Sequence, residues 1–312
     1  MSPHYLVTGG AGFIGSHIAA SLVAQGFQVT VLDNLITGHE SNLSGVREQI
    51  RFIKASISDP AALDEALSGV DGVFHQAAIP SVPRSIKQPL ETQQSGEIGT
   101  LLLLTKAVEK NVRRIVYAGS SSVYGDTPTL PKVESMRPNP RSPYAVSKLA
   151  GESYMTAFSR CHPIDTITLR YFNIFGPRQD PNSPYSGVMA KFSTSLLAGQ
   201  RPVIFGDGQQ TRDFTFVDNA VDANLKAMFH PKPLGGEVIN IAGGERVSLL
   251  DVLGEFNRVL GTQLEPIFEP ARAGDVRDSL ADLTKARELI GYHPQIPWRD
   301  GVKRLLAHLS AK

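Results

Sequence analysis

One cysteine, Cys161, occurs among the 312 residues, and charge of either sign is not in excess: 31 lysines and arginines stand against 30 aspartates and glutamates, a formal net charge of +1. A lone cysteine excludes an internal disulfide framework and a cysteine-built zinc site, so a reducing compartment, by default the cytoplasm, is the expectation. Balanced charge of mixed sign provides no electrostatic footprint for nucleic acid or for an anionic membrane, and neither partner is expected. Any anion must therefore be met by a local site. Long hydrophobic runs are missing too. The amino-terminal stretch "MSPHYLVTGGAGFIGSHIAASL" is apolar, but glycines at 9, 10, 12 and 15 break it and no basic segment precedes it; neither export nor a membrane span is expected from it. Low-complexity tracts and fixed-period repeats are also absent. Hydrophobic residues, in contrast, make up 41% of the chain, enough for a large core in one big domain or two modest ones.

Short β-branched runs alternate with helical patterns through the first half: "HYLVT", "FQVTVLD", "RFIKA", "GVFHQ", "RRIVYAG" and "DTITLRYF", with helical spacing over segments such as 61–68 and 97–110. Strands alternating with helices imply βαβ units and right-handed crossovers, hence an α/β fold with a doubly wound parallel sheet. After about Phe175 the texture changes to proline- and glycine-punctuated stretches, "GPRQDPNSPYSG" and "HPKPLGGE". This predicts a smaller mixed α/β region over the carboxyl ends of the strands, where ligands of open sheets bind.

"YLVTGGAGFIGS" sets Gly9, Gly12 and Gly15 directly after a strand and at the opening of a helix. The first glycine permits the tight turn, the second lets a pyrophosphate approach the backbone, and the third allows close helix–strand packing. "VTVLDN" ends the next strand with Asp33, at the separation expected of a carboxylate that grips a ribose 2′-hydroxyl. The pattern is that of a Rossmann domain over residues 1–175, to which 214–242 is expected to return; 176–312 is then mainly substrate-binding. A carboxylate at 33 would repel a 2′-phosphate, and no arginine follows it closely, so the cofactor expected is NAD.

In "RSPYAVSKLAGE", Tyr144 and Lys148 stand four apart. Such a spacing places both on one helical face, where an ammonium can favour the ionised phenol and make it a base. The same spacing is also ordinary amphipathic packing on a surface helix. "YAGSSSVYGD" adds a run of serines, at 120 to 122, on leaving a strand.

With T-G-G-x-G-F-I-G and Y-x-x-x-K in that order, the sequence resembles the extended short-chain dehydrogenases/reductases. "HQAAIPSVPRSI", "LRYFNIFGPRQDP", "GDGQQTRDFTFVDN" and "AGDVRDSLAD" bring it nearer to the UDP-sugar 4-epimerases. The resemblance implies hydride removal from a sugar carbon by NAD, through a transient 4-keto sugar and NADH, with no metal. It makes Tyr144 the acid/base, Lys148 its partner and a ligand of the nicotinamide ribose, and Ser120 the hydroxyl that holds the reacting oxygen; Ser121 or Ser122 could share that contact. Around the cofactor it implies Phe13, Ile14, Asn34, Ser56, Ile57, Gln76, Ala77 and Ala78. Around a UDP-sugar it implies Ser81, Ser122, Asn173, Phe205 near the uracil, Arg212 and Arg272 on the diphosphate, Asp275, and Ser279 beside the hexose. Members commonly form homodimers through two helices, here about 90–110 and 142–160.

Two positions depart from the family pattern. An acid before an apolar residue often holds the adenine amino group, whereas this chain has Ser56 before Ile57; and a position that is commonly asparagine reads Gly96. Related nucleotide-sugar dehydratases and decarboxylases place a glutamate two residues before the tyrosine of "VYG". Here that residue is Ser122, which leaves simple epimerisation as the expected reaction over elimination or decarboxylation, while the presence of Tyr144, Lys148 and Ser120 speaks against a non-catalytic NAD-binding role.

Overall fold

Alternation of β-branched and helical segments produces one sheet of seven strands. In the computed structural model, which describes residues 2–180, 187–271 and 277–310, these are β1 (His4–Thr8), β2 (Gln28–Leu32), β3 (Arg51–Ile53), β4 (Gly72–His75), β5 (Arg114–Ser120), β6 (Asp165–Tyr171) and β7 (Glu237–Ile241). Their order across the sheet is β3-β2-β1-β4-β5-β6-β7, with every neighbouring pair parallel. The order in which successive strands are added across the sheet reverses between β1 and β4, the switch point at which such sheets bind ligands.

Helices cover both faces. On one lie α1 (Phe13–Ala24) and, much later in the chain, α5 (Val217–Met228); on the other lie α2 (Pro60–Ala66), α3 (Gly99–Glu109) and α4 (Pro143–Cys161). Side chains of a strand alternate between faces. In β1, Tyr5 and Val7 therefore pack with Ile18 and Leu22 of α1, while Leu6 packs with Leu63, Leu103 and Met155 on the opposite side. Burial on both sides explains why these strands read as nearly continuous apolar runs.

The 97–110 pattern divides at Gly99: ahead of α3 stands a single wide turn, Gln94–Ile98, of π geometry. Gly96 within it is buried, and a Cβ there would come within 2.8 Å of the Ser147 Oγ of α4. The glycine lets the turn press against that helix.

Residues beyond β6 build a second core. Phe175, Phe192, Phe214, Phe216, Phe256 and Trp298 pack together between the helices Val188–Leu197, Leu249–Leu260 and Trp298–Ser310 and three small two-stranded pieces. The Leu249–Leu260 helix opens with a reciprocal Ser248/Asp251 cap and closes on Gly261 in the left-handed conformation, the pairing of signals expected at the two ends of a helix. Among the described residues no helix is long and apolar enough to cross a membrane, and no group of three or more acidic, histidine or cysteine side chains could hold a metal ion.

Candidate active site

A cavity of about 1360 Å³ opens at the carboxyl ends of β1, β2, β4, β5 and β6, with the second core contributing its far wall. Its glycine-lined end follows β1. Gly9 has φ +66°, and a Cβ there would stand 2.7 Å from the amide nitrogen of Ala77; a Cβ at Gly15 would stand 2.2 Å from the Gly9 carbonyl oxygen. Only glycine fits either place. Helix α1 begins after Gly12 with no side-chain cap and no acid in its first turn, so the N–H groups at Phe13, Ile14 and Gly15 face a cavity that would suit a diphosphate.

Asp33 lies just past β2. Its Oδ2 accepts from the Ala11 amide (2.9 Å) and its Oδ1 from the Leu35 amide (2.8 Å), so the acid braces the glycine loop as well as lining the cavity. Burial pushes its pKa up, against the pull of those backbone hydrogen bonds. Asn34, Ser56 and Ile57 continue the wall. Ser56 Oγ accepts from the Ser58 amide at 3.1 Å. At the end of β4, Gln76, Ala77 and Ala78 line the floor. Gln76 donates to Asn224 Oδ1 (3.1 Å) and accepts from the Tyr171 hydroxyl (3.3 Å), which in turn accepts from Asn224 Nδ2 (2.6 Å). Glycine cradle, uncapped helix and Asp33 together fit a dinucleotide.

Ser142 and Pro143 start α4 sharply: the serine hydroxyl accepts from the Ala145 amide at 3.2 Å and the proline occupies the first turn. Tyr144 is therefore in the first turn, at the cavity wall, and Lys148 lies one turn further in. Ser120 faces them from the end of β5. It opposes the upward pull of burial on the Tyr144 phenol, and its hydroxyl accepts from the Ser122 amide (3.2 Å) and hydroxyl (2.9 Å). All three serines line the cavity, and Ser122 is tied to Ser120.

One electrostatic expectation is corrected. The four-residue spacing predicts an ammonium beside the phenol, but Lys148 extends toward the sheet and donates to the Ala118 carbonyl at 2.8 Å. Among the protein's own groups, burial raises the Tyr144 pKa and the Ser120 hydrogen bond opposes it. Lys148, buried with only 4% exposure, is pushed down to about 7.

On the far side, Ser81 caps the Val82–Lys87 helix by accepting from the Arg84 amide (3.0 Å) and lines the cavity. Asn173 adopts φ +38°, a conformation that asparagine tolerates better than most residues, and its amide donates to the Asp213 carbonyl at 3.0 Å. Arg212 and Ser279 line the wall together, the Ser279 amide donating to the Thr211 carbonyl at 3.1 Å. Phe205, at the end of the Val203–Phe205 strand, is not in that wall. Arg272 and Asp275 lie outside the described residues. Lys132 and Asp126 line the cavity unforeseen; Lys132 is buried, and its ammonium donates to the carbonyls of Thr127 and Thr129. Nothing local in "TLPKVES" marks it.

The model of the NAD dependent epimerase/dehydratase family matches residues 5–242. The chain belongs to that family. A UDP-glucose 4-epimerase of Mycolicibacterium smegmatis is 40% identical over 312 residues, covering 98% of each chain. Among solved structures, a UDP-N-acetylglucosamine 4-epimerase from Methanobrevibacter ruminantium, in complex with UDP-N-acetylmuramic acid, superposes with a TM-score of 0.94 at 36% identity, covering 100% of this chain and 99% of the other. The UDP-glucose 4-epimerase of Thermotoga maritima with UDP-glucose gives 0.93 at 35% identity, covering 99% of each. In this member of the epimerase/dehydratase family the phenol–serine pair stands between the dinucleotide cradle and the wall of Arg212 and Ser279. It is a place where a proton can be exchanged with a hydroxyl group held in the cavity.

Proposed function

We propose that the protein is an NAD-dependent 4-epimerase of UDP-hexoses, interconverting UDP-glucose and UDP-galactose and also accepting the 2-acetamido pair UDP-N-acetylglucosamine and UDP-N-acetylgalactosamine. The observation that carries this reading is that Tyr144, Ser120 and Lys148 line one cavity with the glycine cradle, in a chain similar over its whole length to UDP-sugar 4-epimerases. NAD supplies a hydride acceptor that returns the hydride within the same turnover, and its oxidised ring adds positive charge that favours an ionised phenol. Gly9, Gly12, Gly15 and Asp33 would hold it. Tyr144 takes the proton from the sugar 4-hydroxyl and gives it back; Ser120 keeps that oxygen in line; Lys148 binds the nicotinamide ribose.

Arg212, with its guanidinium fork, binds the diphosphate, and small Ser279 leaves room for a 2-acetamido group. Ser122 spends its hydroxyl on Ser120 (2.9 Å), and a serine cannot serve as the acid of an elimination. The chain pairs with a second copy through the helical surface around 90–110 and 142–160, where Leu90, Ile98 and Val146 are exposed, and it works in the cytoplasm. A light-scattering mass of one chain at micromolar concentration would contradict the pairing.

Incubation of the purified protein with UDP-glucose, UDP-N-acetylglucosamine and UDP-glucuronate, with separation of products and extraction of nucleotide after denaturation, tests the reading. Interconversion at carbon 4 of the first two, with NAD or NADH released on denaturation, is expected; no interconversion of any 4-epimer pair defeats it.

A further inference from the structure

Lys148 carries its charge in surroundings that oppose it. Its ammonium is buried, and among the described residues no carboxylate counters it: Glu152, one turn along α4, is engaged by Arg170 at 2.6 and 2.8 Å. The titratable groups that face Lys148 are Tyr144 on its own helix and Tyr117 and His75 on the sheet. Two groups of β5 meet the ammonium directly, the Ala118 carbonyl at 2.8 Å and the face of the Tyr117 ring, whose centroid is 5.0 Å from Nζ. A ring face carries negative potential toward a cation, and the attraction grows where water is excluded. Tyr117 is 1% exposed.

The fold makes room for this ring. Gly151 lies three residues after Lys148, and a Cβ there would stand 2.3 Å from the Tyr117 hydroxyl oxygen and 2.6 Å from its Cζ. His75 packs against the same ring, tilted by 37° with 5.3 Å between centroids, and adds no charge. Thr100 Oγ1 donates to the Gly96 carbonyl (2.5 Å), so it accepts from His75 Nε2 (2.9 Å); Nδ1 is then free to accept from the Thr8 hydroxyl (2.7 Å). One neutral tautomer satisfies both ring nitrogens, in line with a pKa that burial holds at about 3. The Tyr117 hydroxyl itself is buried without a hydrogen-bond partner of ordinary geometry.

We propose that Tyr117 is a positioning residue of the reaction, its ring face holding the Lys148 ammonium charged and fixed behind Tyr144. The proposal rests on the reading of Tyr144 and Lys148 as the acid/base pair, and it assigns the work to the ring, not to the hydroxyl. Losing the ring's negative face destabilises the ammonium, so Lys148 gives up its proton at lower pH and the alkaline limb of the rate profile moves toward neutrality. A desolvated cation–π contact corresponds to a displacement of about one pH unit, roughly tenfold in the ratio of ammonium to amine.

The test uses the holoenzyme with Tyr117→Phe, Tyr117→Leu and pentafluorophenylalanine incorporated at 117, which keeps the shape and reverses the ring's potential. Two readouts are taken: the pH profile of kcat for UDP-galactose, and the titration of the Lys148 13Cε resonance. Tyr117→Phe should match the parent in both. The leucine and pentafluorophenyl variants should shift both by about one unit downward with KM unchanged. If leucine prevents folding, the fluorinated ring alone decides. An unmoved Lys148 titration in the fluorinated variant, or an equal shift in Tyr117→Phe, overturns the proposal. A shifted titration in a protein that epimerises nothing would instead uphold this contact and sink the function.

Discussion

Replacing Ser120 with alanine removes the one protein group that pulls the Tyr144 phenol toward ionisation. Ser120 Oγ accepts from both the amide and the hydroxyl of Ser122, which leaves its own proton for the phenol oxygen. Without that donor the phenolate is less stable while burial still opposes it, so the acidic limb of the rate profile, where the base must ionise, moves to higher pH. A hydrogen bond to a charged group contributes about 1.5–3 kcal/mol; at a factor of ten for each 1.4 kcal/mol, turnover at pH 7 should fall roughly 10- to 150-fold. The serine also caps the short turn that follows β5, and loss of a cap costs about 1 kcal/mol of stability, so urea denaturation is measured alongside to separate the two effects. The assay is the interconversion of UDP-galactose and UDP-glucose from pH 5 to 10. Ser120→Thr keeps the hydroxyl and should restore the limb, whereas Ser122→Ala, whose hydroxyl is spent on Ser120, should cost a few-fold at most. An unmoved limb in Ser120→Ala, or a larger loss in Ser122→Ala, would refute the assignment.

Tyr144→Phe should lower kcat by roughly 10²- to 10⁴-fold while nucleotide extracted from the denatured protein stays near the parent amount; unchanged turnover would remove Tyr144 from the chemistry. Gly15→Ala forces a Cβ to within 2.2 Å of the Gly9 carbonyl oxygen, an overpacking worth about 1–3 kcal/mol; a lower Tm and loss of co-purified NAD are expected, and full NAD content would show that the loop yields. Ser279→Tyr should suppress turnover of the 2-acetamido sugars strongly while sparing UDP-glucose, a steric cost borne by one substrate class. Equal loss on both classes would make Ser279 structural.

Local signals made much of this protein legible before folding was considered. A strand's alternation, three glycines at a helix start and a tyrosine four residues before a lysine are patterns of spacing within one turn or one βαβ unit. They specified the parallel sheet and the family resemblance. Which serine meets Tyr144 was not among them, because "SSS" is degenerate in type and the choice depends on how the end of β5 twists against α4. The direction of Lys148 depended on a strand 30 residues earlier in the chain, whose Ala118 carbonyl accepts its hydrogen bond, so helical spacing alone pointed it the wrong way. Gln76 and Asn224 are 148 positions apart, and no periodicity links them. Lys132 and Asp126 enter the cavity from an irregular loop with no periodic signature, while Phe205, chosen by motif, lies outside the wall on a short strand paired with Ile267–Glu269. Sequence spacing governs what lies within a few ångströms along the chain; partners for a buried charge or hydroxyl are whatever the packed layers bring opposite it, and only the tertiary structure sets that.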